Sequence, residues 1–178
     1  MAAIDVGYSG GINTHQTYFS YTTITKYNAA NDTGKITSVL INFNAVGNNG
    51  ANVKVGTFYG SGVSFTVRDY ATIGTVTKGS DQTFTGLDID VSTDDYIGVY
   101  YTDGFISIGT GATDTRIRYN GDAFATGGAI TYTAFGDYYV YVSGIGTTSG
   151  WTGKIWGVTN PAKIWGIPVA NIAKVGGI

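Results

Sequence analysis

The sequence contains no cysteine and no glutamate, one histidine, two prolines and few charges. Without cysteine the chain forms neither disulfides nor thiolate metal sites. All twelve acidic residues are aspartate, which favours turns, whereas the missing glutamate favours helices. Charged residues make up 12% of the chain and the net charge is −2. No basic surface is therefore expected to neutralise phosphates, and we expect no nucleic-acid partner.

Long apolar runs are also missing. The first residues, MAAIDVGYSGG, contain neither a basic segment nor an apolar run of signal-peptide length, so no Sec signal is visible. No stretch reaches the ~20 uninterrupted apolar residues of a membrane helix. The most apolar segment, residues 154–178, is interrupted by Lys, Pro and Gly. We therefore expect no membrane span.

What the chain has instead is typical of strands and tight turns. Thr, Tyr, Val and Ile are abundant beside 28 glycines, and short apolar and polar alternations recur between turn signals such as Asn120-Gly121. These patterns predict an all-β fold, an antiparallel β-sandwich or jelly roll with a C-terminal extended β tail. Strands are predicted at 16–26, 35–45, 52–59, 63–67, 87–91, 96–101, 105–108, 115–119, 129–133 and 137–142.

The predicted organisation has four parts. Residues 1–14 form an N-terminal arm, and residues 15–145 form the sandwich. A Gly/Thr/Ser-rich linker covers 146–153, and a repeated apolar tail covers 154–178. We predict that this tail makes the contacts between subunits.

The tail repeats the pattern Lys, Ile or Val, any residue, Gly, Val or Ile, starting at Lys154, Lys163 and Lys174. An extended strand of this pattern carries apolar groups on both faces, so it needs protein on both sides. Three interpretations remain open: pairing with neighbouring subunits by strand complementation, edge strands on its own sandwich, or a disordered tail. The candidate assembly residues are Ile155, Trp156, Val158, Ile164, Trp165, Ile167, Val169, Ile172, Val175 and Ile178.

The sequence of residues 172–178, IAKVGGI, resembles the IAKVNGV-like repeats that end phage-like and environmental β-sandwich structural proteins of the tail-fibre or filament type. Residues 57–101 are similar to the Thr/Gly/Tyr-rich sandwich of the same group. The resemblance implies a virion, tail-fibre or extracellular filament component and no catalytic residue. Trp156 and Trp165 stand where the pattern usually has a polar residue, which makes this tail more apolar.

Residues suited to catalysis or metal binding are scarce. His15 is the single histidine, and no G-x-S-x-G elbow accompanies it. Asp88 and Asp90 share one face of a predicted strand, which favours a solvent-facing surface over a glycosidase pair. Asp94 and Asp95 are weak candidates for a structural Ca²⁺ site. We expect no enzyme activity, catalytic residue, cofactor or resident metal.

Tyrosine is the remaining feature of interest. Tyr138, Tyr139 and Tyr141, with Trp151, could form a platform that stacks on sugar rings, but tyrosine is also a normal packing residue in sheets and at interfaces, and we favour that interpretation. Tyr96, Tyr100 and Tyr101 are open to the same two interpretations.

The expected function is that of a self-assembling structural subunit of a virion or extracellular filament, with other copies of the chain as partners. The alternative is a carbohydrate-binding or host-receptor-binding module, with glycans as possible partners. The expected location is extracellular or in a virion.

Overall fold

A computed structural model describes residues 3–10, 14–16, 19–110 and 116–148. It also describes the backbone of 154–155, 158–159, 163–164 and 167–168; for residues 14–16, too, only the backbone is described. These residues form antiparallel strands and one 3₁₀ turn, Ala123–Ala125, and the described chain includes no α-helix. The all-β prediction is therefore confirmed.

The strands form three sheets in the body of the protein and two small sheets in the tail. In chain order the strands are β1 (Ala3–Tyr8), β2 (Thr14–Gln16), β3 (Tyr21–Thr25), β4 (Gly34–Asn42), β5 (Gly50–Ser61), β6 (Ser64–Val76), β7 (Asp81–Val91), β8 (Tyr96–Tyr100), β9 (Ile106–Thr110), β10 (Arg116–Asn120), β11 (Ala129–Thr131), β12 (Thr133–Ala134), β13 (Tyr138–Val140), β14 (Val142–Thr148), β15 (Lys154–Ile155), β16 (Val158–Thr159), β17 (Lys163–Ile164) and β18 (Ile167–Pro168). The first sheet has four strands in the order β1-β14-β4-β7, the second has seven in the order β11-β6-β5-β8-β3-β10-β12, and the third has three in the order β13-β9-β2.

The four-stranded and seven-stranded sheets pack face to face as a sandwich. Their shared core is built mainly from inward-facing residues of β1, β4, β5, β7, β8 and β14, which follow the period of two in a strand. This core consists of Ile4, Val6, Ala30, Ile36, Val39, Ile41, Phe43, Val53, Val55, Val76, Ile89, Val91, Ile97, Val99, Tyr101, Ile106, Val140 and Val142.

The seven-stranded sheet also curls into a nearly closed barrel. Its two end strands, β11 and β12, are consecutive in the chain and separated only by Tyr132. β11 pairs with β6 and β12 pairs with β10. The opposite face of the sheet therefore encloses a second core, made of Ile24, Phe58, Phe65, Ile117, Ala123, Phe124, Ile130 and Tyr132.

Side chains cap the outer edges of the four-stranded sheet. On β1, the Asp5 amide donates to the Asn31 side chain (3.0 Å), and the Asn31 amide donates to the Ala3 carbonyl (3.2 Å). On β7, the Asp90 amide donates to the Asp69 carboxylate (2.8 Å). Such caps occupy backbone groups that would otherwise pair with another strand.

Two predicted boundaries were wrong. Residues 3–8 of the expected N-terminal arm are strand β1, whose Ile4 and Val6 are fully buried. The expected linker begins inside strand β14, which continues to Thr148 and pairs with both β1 and β4. A Cβ on Gly146 would stand 2.0 Å from the Lys35 carbonyl oxygen, so this glycine permits close strand packing rather than linker flexibility.

The predicted strand alternation is confirmed in several places. Leu87, Ile89 and Val91 face inward on β7, and Asp88 and Asp90 face solvent. The apolar stretch at residues 96–100 is β8, which lies in the middle of the seven-stranded sheet as its composition indicates.

In the tail, each of the first two repeats contains a two-stranded hairpin rather than the single extended strand considered above. Ile155 pairs with Val158, and Ile164 pairs with Ile167. Among the described residues, β15 to β18 make ladder pairs only within their own hairpins. In the whole described part of the chain, no helix has the length and hydropathy needed to cross a membrane.

Candidate functional site

A cluster of four tyrosines lies where three separate segments meet, and we call it the tyrosine cluster. Tyr8 ends β1, Tyr27 follows β3, and Tyr139 and Tyr141 lie in and just after β13. The ring centroid of Tyr8 is 5.4 Å from that of Tyr27 and 4.9 Å from that of Tyr139. Tyr27 and Tyr139 are 4.3 Å apart, and Tyr8 and Tyr141 are 6.1 Å apart. Contacts at these separations hold aromatic rings together by dispersion and quadrupole attraction.

Glycines make room for the central ring of this cluster. A Cβ on Gly109 of β9 would lie 2.2 Å from the Tyr8 hydroxyl oxygen, and one on Gly10 would lie 2.7 Å from the same ring. Gly109 is also the strand partner of Tyr139. The Tyr8 ring therefore lies directly over β9, next to Tyr139, and its position depends on the missing side chain at residue 109.

Beside the cluster is an open cleft of about 380 Å³ with both aromatic and polar walls. The Asn28 side-chain amide donates to the Asp5 carboxylate (2.9 Å), and the Gly7 amide donates to the Asn28 carbonyl (2.9 Å). These bonds fix the loop after β3 against the edge of β1. The cleft is lined by Asp5, Gly7, Tyr8, Ser9, Gly10, Tyr27 and Asn28.

The tyrosine cluster is connected to a polar network beneath it. The Tyr141 hydroxyl donates to the Asp81 carboxylate (3.0 Å), which also accepts from the Asn42 amide (2.7 Å). The Ser107 hydroxyl donates to the Asn42 side-chain oxygen (2.6 Å). Burial, followed by the bond to Asp81, raises the pKa of Tyr141 to about 12. Burial and the neighbouring Tyr27 and Tyr139 raise the pKa of Tyr8. Both phenols therefore stay protonated at neutral pH.

The predicted tyrosine platform is brought together only in part. Tyr139 and Tyr141 are in the cluster, but Tyr138 packs against Arg116. The guanidinium carbon of Arg116 lies 5.5 Å from the centroid of the Tyr138 ring. Trp151 lies outside the described residues. Tyr101 is fully buried against Phe43. Tyr96 and Tyr100 pack on the barrel core, which agrees with the packing interpretation for these three residues.

The acidic candidates are engaged in local structure. Asp95 is almost fully buried, and its carboxylate accepts from Arg68 and from the Ser92 amide (2.8 Å). Asp94 occupies the adjoining turn with a left-handed φ of 69°. Asp88 and Asp90 both pair with Lys35, at 3.0 and 2.8 Å. Within the described ranges, no group of three or more His or Asp side chains is placed to hold a metal ion.

Several predicted residues fall partly or wholly outside the described chain. For His15 only the backbone is described, in β2, where it pairs with Ser107. The same holds for four of the tail candidates, Ile155, Val158, Ile164 and Ile167. The other tail candidates lie outside the described residues: Trp156, Trp165, Val169, Ile172, Val175 and Ile178.

Comparisons with known proteins identify no relative: no family model, no curated protein and no solved structure matches the chain. The cleft must therefore be interpreted from its own chemistry. Sequence reasoning missed Asp5, Tyr8, Tyr27 and Asn28, because they belong to two segments that only the tertiary fold brings together. The short alternation of Ile4 and Val6 was the one available signal that this region is part of the sheet.

Proposed function

We propose that the chain is a non-catalytic structural subunit that assembles with copies of itself through residues 154–178. The observation that carries this proposal is the pair of hairpins, β15–β16 and β17–β18, in which each strand has only two residues. An isolated two-stranded hairpin is at best marginally stable in water. Such hairpins become stable when another surface covers their apolar side chains.

The composition of the repeats supports a protein partner. Each hairpin carries Ile on its first strand and Val or Ile on its second. Full burial of one such side chain contributes ~1.5–3 kcal/mol, so a partner surface that covers these apolar groups favours the ordered hairpins. The low charge of the chain also weakens repulsion between identical copies.

The edges of the body favour tail-to-tail contacts over extension of the four-stranded sheet. Backbone groups of Ala3 and Asp5 on one edge, and of Asp90 on the other, already bond to side chains of the same chain. A neighbouring strand would have to break these bonds before it could pair there. Among the described residues, the tail strands β15 to β18 pair only within their own hairpins, so adjacent copies would meet through their tails as subunits of a fibre, a filament or a virion.

The test compares the full chain with a chain ending at Gly150, which retains the whole of β14. Sedimentation velocity and electron microscopy should show regular assemblies for the full chain and monomers for the shorter one. The double substitution Ile155→Asn and Ile164→Asn should also prevent assembly. Ile145→Asn is the matched control, because Ile145 is 55% exposed in the body. If the full chain remains monomeric at high concentration, the proposal is wrong.

A further inference from the structure

The cleft beside β1 combines ring surfaces with hydrogen-bonding groups. Tyr27 is 41% exposed, and Tyr8 is partly exposed beside it. Asp5 and the Asn28 side chain are held together on the same cleft wall by their 2.9 Å hydrogen bond. Ligand sites typically combine such apolar surfaces with a few convergent polar groups.

We infer that this cleft binds a neutral saccharide. Tyr27 and Tyr8 pack against the apolar C–H surface of a sugar ring, and Asp5 and Asn28 bond to its hydroxyl groups. The inference concerns residues of the body alone and does not depend on assembly through the tail.

The polar pair is suited to adjacent hydroxyls. A carboxylate has about four acceptor positions, and the Asn28 amide occupies one on Asp5. The other positions can accept hydrogen bonds from sugar hydroxyls. The side-chain oxygen of Asn28 adds a further acceptor next to them. Because the pair is already fixed by its own hydrogen bond, a ligand does not have to order it.

Charge excludes acidic ligands from this site. The lining residues include one carboxylate, Asp5, and no Lys or Arg. The nearest basic residue in sequence, Lys26, instead donates to the Gly62 carbonyl (3.2 Å). A uronate or a phosphate would therefore approach Asp5 without a compensating cation, and desolvating such a pair of like charges is unfavourable.

Ring geometry argues against an aromatic cage for an ammonium ligand. Such a cage surrounds the cation with several ring faces, each within about 6 Å of it. Here Tyr27 and Tyr139 are in contact with each other at 4.3 Å, so no space for an ammonium group remains between them. The tyrosines offer an outward surface rather than a cage. The cleft volume of about 380 Å³ lies near the lower end of ligand sites, ~300–1,000 Å³, which suits a short saccharide.

The experiment uses the full chain and isothermal titration calorimetry. The neutral probes are tetrasaccharides of cellulose, laminarin, starch, mannan and xylan, with galactobiose. The counter-probes are choline and digalacturonate. We expect saturable binding of at least one neutral probe. Binding of no neutral probe at 10 mM, or of a counter-probe alone, would overturn the inference.

Variants test whether the cleft is the binding site. Tyr27→Ala should weaken binding by about tenfold, a loss equivalent to ~1.4 kcal/mol. Tyr59→Ala is the matched control, because Tyr59 is similarly exposed (46%) but belongs to β5. Asp5→Ala, at an exposed position, provides a second test if Tyr27→Ala fails to fold. Equal affinity of the control and both cleft variants would place the sugar elsewhere and refute the assignment.

Discussion

Removing the hydroxyl group from each of two buried tyrosines should change the free energy of unfolding in opposite directions. Tyr132 lies inside the barrel, 2% exposed, and its hydroxyl has no hydrogen-bond partner among the described residues. Tyr141 is 5% exposed, and its hydroxyl donates to the Asp81 carboxylate at 3.0 Å. The same substitution, Tyr→Phe, therefore removes an unpaired group in one case and a hydrogen bond to a charged group in the other.

The magnitudes follow from the cost of burying a polar group. An unpaired buried hydroxyl costs ~1–3 kcal/mol, so Tyr132→Phe should increase the free energy of unfolding by about 1 kcal/mol. A hydrogen bond to a charged group contributes ~1.5–3 kcal/mol. Because the Asp81 carboxylate reaches solvent, Tyr141→Phe should lose about 1.5 kcal/mol, the lower end of that range.

Equilibrium unfolding in urea, followed by far-ultraviolet circular dichroism at pH 7, measures both effects. With a slope of about 2 kcal/mol/M, the midpoint should rise by ~0.5 M for Tyr132→Phe and fall by ~0.75 M for Tyr141→Phe. Unchanged slopes are the control for an unchanged unfolding transition. A lower midpoint for Tyr132→Phe would refute the reasoning, because it would mean that the hydroxyl is satisfied in the folded chain.

Three further predictions follow from the same structure. Because the pKa of Tyr141 is raised to about 12, its stabilising effect should be complete below pH ~10 and be lost as the pH rises towards 12. Urea unfolding of the unchanged chain and of Tyr141→Phe between pH 8 and 11.5 measures this, because the other tyrosines with raised pKa values titrate in both. A stability difference between the two chains that stays constant with pH would contradict it. Gly146→Ala should destabilise the fold by ~1–3 kcal/mol, because the added Cβ would lie 2.0 Å from the Lys35 carbonyl oxygen. Thermal unfolding measures this loss of stability. Gly127→Ala is the control, because a Cβ at residue 127 would meet open space. Asp95→Ala should lower the free energy of unfolding by about 2 kcal/mol, which is less than the ~3–5 kcal/mol for breaking a fully buried ion pair, because the Arg68 side chain is 31% exposed. Asp88→Ala, at an exposed ion pair, is the control in the same thermal unfolding measurement. An equal loss of stability in the two variants would contradict the prediction.

The strands could be predicted because their signal is local. The alternation of Leu87, Ile89 and Val91 with Asp88 and Asp90 depends only on the period of two, and the structure confirms it. The closure of the barrel could not be predicted in this way. It requires residues 129–134 to pair with β6 at one end and with β10 at the other. No local pattern indicates two different partners for one short segment.

The candidate site was only partly accessible to sequence reasoning for a related reason. Tyr139 and Tyr141 could be found because they are close together in a tyrosine-rich stretch. Tyr8 and Tyr27 lie more than 100 positions before them in the chain, and their contact depends on how β1 packs on β14 and β9. Gly146 illustrates the opposite error. A glycine in a Gly/Thr/Ser stretch indicates a linker, yet here it lies in a paired strand where a side chain would not fit.

The pairing of β1 with β14 determines how the body would respond to mechanical force. The two strands are antiparallel, with Tyr8 opposite Val142 and Ala3 opposite Thr147. Tension applied between Tyr8 and Thr148 pulls the strands lengthwise past each other, because these residues lie at opposite ends of the ladder. Ladder bonds lie perpendicular to the strands, so they share this load and must break together. Tension applied at Ala3 instead opens the same bonds one after another. Single-molecule pulling from residues 8 and 148 should therefore require more force than pulling from residues 3 and 148.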